Sequence, residues 1–165
     1  MNKTEKVNHE FGPFYDKNSR ILILGSIPSP KSREQGFYYG HPRNRFWPVL
    51  AGLFEEKAPE TVEDRKEFLT KHHIALWDVL ASCDIKGADD SSIKNPEAND
   101  MELILKSADI KAVFTTGAKA SKLYEKLCLP ECGVAAIMLP STSPANCACS
   151  FDRLLEEYRQ ILKYL

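Results

Sequence analysis

The sequence lacks the fingerprints of several large function classes. No Gly-x-Gly-x-x-Gly follows the first apolar run and no Gly-x-x-x-x-Gly-Lys-Ser/Thr occurs, which removes the dinucleotide and P-loop readings. There is no Gly-x-Ser-x-Gly elbow, and His41 has no recognisable third partner for a hydrolase triad. No stretch approaches the roughly 18 uninterrupted apolar residues of a membrane span. The opening "MNKTEKVNHEFGPFYD" also lacks the apolar core of a secretory leader, so a cytoplasmic protein with no membrane partner is expected. Cysteine is absent before Cys83, and the 5 that the chain holds suit reduced thiols better than a disulfide framework. Neither "CLPEC" (Cys128, Cys132) nor "CAC" (Cys147, Cys149) has the spacing of a zinc knuckle, so no metal is expected. Charge of one sign is not in excess either. Lys+Arg 22 against Asp+Glu 23 leaves a formal net charge of -1, so any nucleic-acid footprint must be local.

What is present is an alternation of apolar strands and amphipathic helices, within 165 residues that suit one domain spanning 1–165. "ILIL" (21–24) reads as a buried strand. "NRFWPVLAGLF" then sets Phe46, Val49, Leu50 and Leu53 at helical spacing, with Asn44 suited to the N-cap. "TVEDRKEFLTKHH" predicts a helix capped by Thr61, and "IALWDVL" a second strand. "MELILKSA", capped by Asn99 or Asp100, and "AKASKLYEKLCL" read as helices around the strand "IKAVFTTG". "GVAAIML" is a fourth strand, and "FDRLLEEYRQILKYL" a closing helix whose apolar face is Phe151, Leu154, Leu155, Tyr158 and Ile161. Four strands separated by helices predict an α/β fold, three layers α/β/α around a central four-stranded parallel sheet. Between the second strand and the next helix, "ASCDIKGADDSSIKNPEAND" is turn-rich, polar and longer than typical connections, so a loop that is either functional or mobile is expected, a candidate second wall of a site.

Ligands of such sheets bind beyond the carboxyl ends of the strands. Two unusual loops fall there, "GSIPSPKSREQGFYYGHPRNRFWPVL" (25–50) and "PSTSPAN" (140–146), and they are expected to face each other across one crevice with the "LWDV" turn between them.

In these stretches the sequence resembles the uracil-DNA glycosylase superfamily. "GSIPS" stands where these enzymes carry their first motif, "GFYYGHPRNRFW" looks like the matching stretch of the mismatch-specific uracil/thymine glycosylases, and "LPSTSPAN" holds the second-motif position. "HPRNRFW", "LWDV" and "STSPAN" are most similar to the hypoxanthine-DNA glycosylase (DNA-deoxyinosine glycosylase) group. The resemblance implies a monofunctional enzyme that flips a deaminated base, here hypoxanthine, out of DNA and hydrolyses its N-glycosidic bond as a monomer with no cofactor. Relatives with an iron-sulfur cluster carry added cysteines near the N-terminus, which are lacking here.

Carried over residue by residue, Gly25, Ser26 and Ile27 line the substrate pocket, and Tyr39 stacks on the flipped base, unless that ring only covers the core. Ile27 falls where uracil-excising relatives have an Asn or Asp that positions water, a task isoleucine cannot perform. Asn44 then becomes the first catalytic candidate, with helix capping as its alternative and His41 as an assistant or a loop brace. Trp77 and Asp78 stand at the base-recognition place, although Trp77 equally suits the core and Asp78 a turn cap. Ser141, Ser143 and Asn146 offer phosphate ligands or a plain capped turn, and the family's second loop implies that Thr142 to Asn146 enter the minor groove. Lys31, Arg33, Arg43 and Arg45 supply a local basic footprint for the DNA backbone, or ordinary surface charge. The same residues leave open a catalytically silent nucleic-acid-binding module and a small nucleoside or nucleotide binder.

Overall fold

The computed structural model describes residues 3–165. The chain opens with β1 (Thr4–Asn8), followed by β2 (Ile21–Gly25), α1 (Pro30–Gln35), α2 (Phe46–Phe54), α3 (Val62–Lys71) and β3 (Ile74–Asp78). A hairpin of β4 (Leu80–Lys86) and β5 (Asp89–Ala98) comes next, then α4 (Glu102–Leu105), β6 (Ala112–Thr116), α5 (Ala118–Leu127), α6 (Leu129–Cys132), β7 (Ala136–Leu139) and α7 (Phe151–Tyr158).

The expected parallel sheet is present, in the order β3-β2-β6-β7, flanked by helices in an α/β/α arrangement. Ile21, Leu22, Ile23 and Leu24 have no exposed surface, as befits a central strand covered on both faces. Helix ends follow local chemistry. Ser29 caps α1 by accepting from Ser32 N, and Gly36 ends it at a φ of 72°, where glycine is the low-cost residue. Thr61 caps α3 as predicted, and Ser150 caps α7. Among the described residues no helix is long and apolar enough to cross a membrane.

Three expectations need correction. The stretch 81–100 is not a loop. It forms β4 and β5, which join β1 in a second, antiparallel sheet of order β1-β4-β5. The helix after it is a single turn in which Asp100, not Asn99, accepts from the Glu102 amide, while Asn99 is spent elsewhere. The closing helix tightens into a 3-10 turn over Arg159–Tyr164 instead of running on as α-helix.

Candidate active site at the carboxyl ends of the parallel strands

The floor of the site is where β2 and β3 end side by side, Gly25 opposite Asp78. A Cβ at Gly25 would stand 2.6 Å from Asp78 Oδ1, so any larger residue would displace the carboxylate. Asp78 Oδ2 is 2.9 Å from His9 Nε2, and the two side chains are only 6% and 4% exposed. A carboxylate only accepts, so Nε2 carries the hydrogen. The His9 ring is wedged beside Phe11 and Tyr38, with centroids 4.9 and 5.9 Å away, and its Nδ1 is buried without a partner. Asp78 therefore does not cap the following turn. That turn is braced by the Asn99 amide, which donates to the Asp78 and Leu80 carbonyls at 3.0 and 3.1 Å.

The first loop supplies one wall. Ser32 Oγ accepts from the Gly40 amide and Gln35 donates to the Gly40 carbonyl, so residues 37–40 are fastened to α1. Tyr39 adopts a φ of 53°, a left-handed conformation that costs a non-glycine residue about 1–3 kcal/mol. Its ring lies on Phe46 at 3.8 Å and 12° from parallel, and its hydroxyl is buried with no hydrogen-bond partner. Burial, reinforced by the negative Asp78, pushes that phenol well above its ordinary pKa and keeps it protonated.

Asn44 performs part of the capping task and leaves the other half of its amide unused. The helix begins at Phe46, with Arg45 at the N-cap, because the Asn44 backbone N–H bonds back to the His41 carbonyl in a turn. Asn44 Oδ1 accepts from the Phe46 amide at 2.9 Å and from the Thr142 hydroxyl at 2.7 Å. The Phe46 N–H can only donate, which fixes the oxygen there and turns Nδ2 away as a donor. His41 is oriented comparably. Its Nδ1 accepts from the Arg43 amide at 3.0 Å, so the ring hydrogen sits on Nε2.

The second loop forms the facing wall. Ser141 Oγ accepts from the Ser143 amide, Ser143 Oγ from the Ala145 amide, and the Asn146 amide donates to the Ser141 carbonyl. Thr142, 1% exposed, is held by Asn44. Arg45 links the two loops, with guanidinium hydrogens on the Cys149 and Asn146 carbonyls at 2.5 and 3.0 Å. This cation, expected on the surface, is a clamp between loops. Lys31 is exposed and paired with Glu34, Arg33 is largely covered and paired with Glu5, and Arg43 is exposed. Trp77 is 6% exposed within the core, and neither it nor Asn146 lines the cleft.

The third wall is the β4–β5 hairpin, through Ile85, Gly87, Ala88 and Asp90. Asp90 Oδ1 accepts from Ser26 Oγ at 3.0 Å. Asp90 is exposed, yet partial desolvation by the surrounding protein raises its pKa from the ordinary aspartate value. Its bond from Ser26 opposes that shift, as does the Lys119 charge. The walls enclose a cleft of about 310 Å³, which Gly25, Ser26, Ile27, Tyr39, His41, Asn44, Asp78, Ser141, Thr142 and Ser143 also line. That is the small end of the roughly 300–1,000 Å³ typical of small-molecule sites.

The structure thus gathers most of the residues singled out in the sequence. Sequence reasoning missed His9 and Asp90 as site residues. His9 is 69 residues from its partner and sits in a polar N-terminal stretch, so no local spacing pointed to it. Asp90 was one acid among several in "GADDSS". No group of three or more His, Cys, Asp or Glu side chains among the described residues is placed to hold a metal ion.

Comparison with known proteins adds an independent line. The family model of the uracil DNA glycosylase superfamily matches residues 13–165. A protein of Methanosarcina barkeri named hypoxanthine DNA glycosylase is 36% identical over 138 residues, 82% of this chain and 86% of that one. One of the same name from Methanosarcina acetivorans is 35% identical over 152 residues, 89% and 93% of the two chains. A solution NMR structure from Methanosarcina acetivorans, provisionally named a uracil DNA glycosylase, superimposes with a TM-score of 0.76 at 31% identity. It covers 92% of this chain and 96% of its own.

Proposed function

From the premise that the chain belongs to the uracil DNA glycosylase superfamily and is a monofunctional DNA repair glycosylase, we propose that the base it removes is hypoxanthine. The observation that carries this reading is the pair of opposed hydrogen-bonding groups in the cleft. One is Asn44, whose oxygen is engaged and whose Nδ2 is left to donate; the other is the Asp78 carboxylate, an acceptor held by His9. A deaminated base needs that combination, because its lactam edge, N1–H beside C6=O in hypoxanthine, sets a donor next to an acceptor. Uracil shares this edge, and what favours hypoxanthine over it is the apolar Ile27 in the cleft together with the names of two relatives.

In this reading the deaminated nucleotide leaves the duplex and enters the cleft, where the Tyr39 ring, backed by Phe46, stacks on the base. Asp78 accepts from N1–H. As the C1′–N9 bond lengthens, the base gathers negative charge, and Asn44 Nδ2 and His41 Nε2 donate to it. The Ser141 and Ser143 hydroxyls, which accept from loop amides but keep their own O–H to donate, grip the flanking phosphates, with Thr142 and Asn146 shaping that loop from behind. Arg43 and Lys31 meet the backbone farther out. Ile27 offers the cleft only an apolar surface, which disfavours the water-positioning chemistry of uracil-excising relatives at that place. Every group invoked comes from one chain, so a monomer suffices.

The test is incubation with labelled duplexes carrying inosine, uracil, xanthine or a mismatched thymine, followed by alkaline cleavage of abasic sites. Inosine strands are expected to break first. Equal or faster cleavage of uracil would overturn the base assignment, and intact strands at high enzyme excess with DNA still bound would favour the silent module.

A further inference from the structure

We propose that Asp90 is the residue that holds and deprotonates the attacking water, taking over from a different element the task that Ile27 cannot perform. The inference rests on the hydrolytic reaction but not on which base is removed.

Hydrolysis requires a water aligned on C1′ and an acceptor for its proton. The cleft-lining groups with a basic site to consider are His41, Asp78 and Asp90, since the Tyr38 and Tyr39 phenols are held protonated by burial. His41 is occupied at Nδ1 by the Arg43 amide and carries hydrogen at Nε2, so it can donate but not accept. Asp78 is tied to His9 through Oδ2, and its other oxygen, beside Gly25 at the floor, is the one committed to the N–H of the bound base. Asp90 has one oxygen on Ser26, and its Oδ2 makes no hydrogen bond or ion pair among the described residues.

The connection through Ser26 gives the position meaning. Ser26 directly precedes Ile27, and both line the cleft with Asp90, so the Ser26 bond fixes a carboxylate on the same cleft in which the polar side chain at position 27 is missing. Gly87 and Ala88, at the tip of the hairpin that carries Asp90, leave room along that wall. The groups facing the carboxyl are Ser26 from the end of β2, Asp78 from β3, Asp89 from its own strand and Lys119 from α5. Desolvation, with smaller contributions from Asp78 and Asp89, raises the Asp90 pKa from its ordinary value, the direction that strengthens a general base.

The step balances as a simple hydrolysis. The water oxygen bonds to C1′ as the glycosidic bond breaks, and its electron pair leaves with the base. The water proton passes to Asp90 and on to solvent, and the departing base takes a proton from solvent on release.

The experiment is single-turnover cleavage by the parent, Asp90→Asn and Ser26→Ala proteins, on whichever deaminated base the parent excises, across a pH series. Affinity is measured separately with a duplex carrying the 2′-fluoro analogue of that nucleoside, which resists hydrolysis. Asparagine can still accept from Ser26, so the hairpin should stay in place. Asp90→Asn is expected to slow cleavage by roughly 10²-fold or more, with binding of the fluoro duplex within about threefold of the parent. The parent rate should fall with unit slope toward acid, and that limb should vanish in Asp90→Asn. Ser26→Ala should shift the limb to higher pH, because the lost hydrogen bond favoured the ionised form. Asp90→Asn cleaving at the parent rate, retaining the acid limb, or losing affinity in proportion to rate would overturn the proposal. A parent that prefers uracil over inosine overturns only the base assignment, while one inactive on every lesion overturns both.

Discussion

Asn44 shows how one side chain can serve fold and chemistry with different atoms. Its oxygen starts α2 and holds Thr142, and its nitrogen is left for the substrate. Asn44→Asp keeps the acceptor and removes the donor, so thermal stability should change little while single-turnover excision falls by roughly 10²-fold. Asn44→Ala removes both, and should lose about 1 kcal/mol of stability in denaturant titration as well as the rate. An aspartate variant at the parent rate would reduce Asn44 to a structural residue. Sequence alone left capping and catalysis as alternatives, because the choice depends on which donors reach Oδ1, and one of them is 98 residues away. Tyr39 is comparable. The motif marked it as an aromatic, but not its left-handed backbone or the partnerless hydroxyl. An unpaired buried hydroxyl contributes nothing to stability, so Tyr39→Phe should be as stable as the parent or more so and should retain most activity. Tyr39→Ala should weaken binding of a lesion duplex by about 1–3 kcal/mol through lost stacking. Unaltered affinity in the alanine variant would show that the ring only covers Phe46.

At the scale of elements, the parallel sheet was legible and the antiparallel one was not, for a single physical reason. Strands covered on both faces are continuous apolar runs, and "ILIL" or "AVF" announces itself. β1 and β5 each bury one side chain, Val7 and Ile93, and surround it with polar residues. One inward residue sets no period. The β4–β5 hairpin is nonetheless what carries Asp90, and β1 leads into His9, so the least legible elements complete the site. Ile93, 8% exposed, is the side chain that anchors β5 to the core. Ile93→Ala should cost about 2–5 kcal/mol if the site does not collapse around it. Amide exchange should speed up across β1, β4 and β5 before it does in β2, β3 and β6. Uniform acceleration over both sheets would mean that the hairpin opens only with the whole molecule.

For the whole molecule, the puzzle is how a protein of net charge -1 holds a polyanion. Two of the four cations expected at the DNA surface are largely spent inside the protein: Arg45 joins the loops, and Arg33 reaches Glu5. Lys31 shares an exposed pair with Glu34, and such pairs are weak enough to exchange for a phosphate. Arg43 is exposed and Lys119 lies near the hairpin. Grip must therefore come largely from neutral donors, chiefly the Ser141 and Ser143 hydroxyls of the second loop, which release no counterions when they bind phosphate. About three cations are available, and each neutralised phosphate contributes about -0.9 to the slope of log K against log salt. The slope for a lesion duplex should therefore be about -3 and should become shallower by about one unit in Arg43→Gln. Arg45→Gln is expected to behave differently. It should leave the slope nearly unchanged and slow excision, because losing the guanidinium bonds to the Asn146 and Cys149 carbonyls loosens the second loop whose Thr142 seats Asn44. Fluorescence-anisotropy titrations between 50 and 200 mM salt would decide the matter. A slope steeper than about -6 would mean that backbone contacts extend far beyond the cleft, onto lysines of distant surfaces.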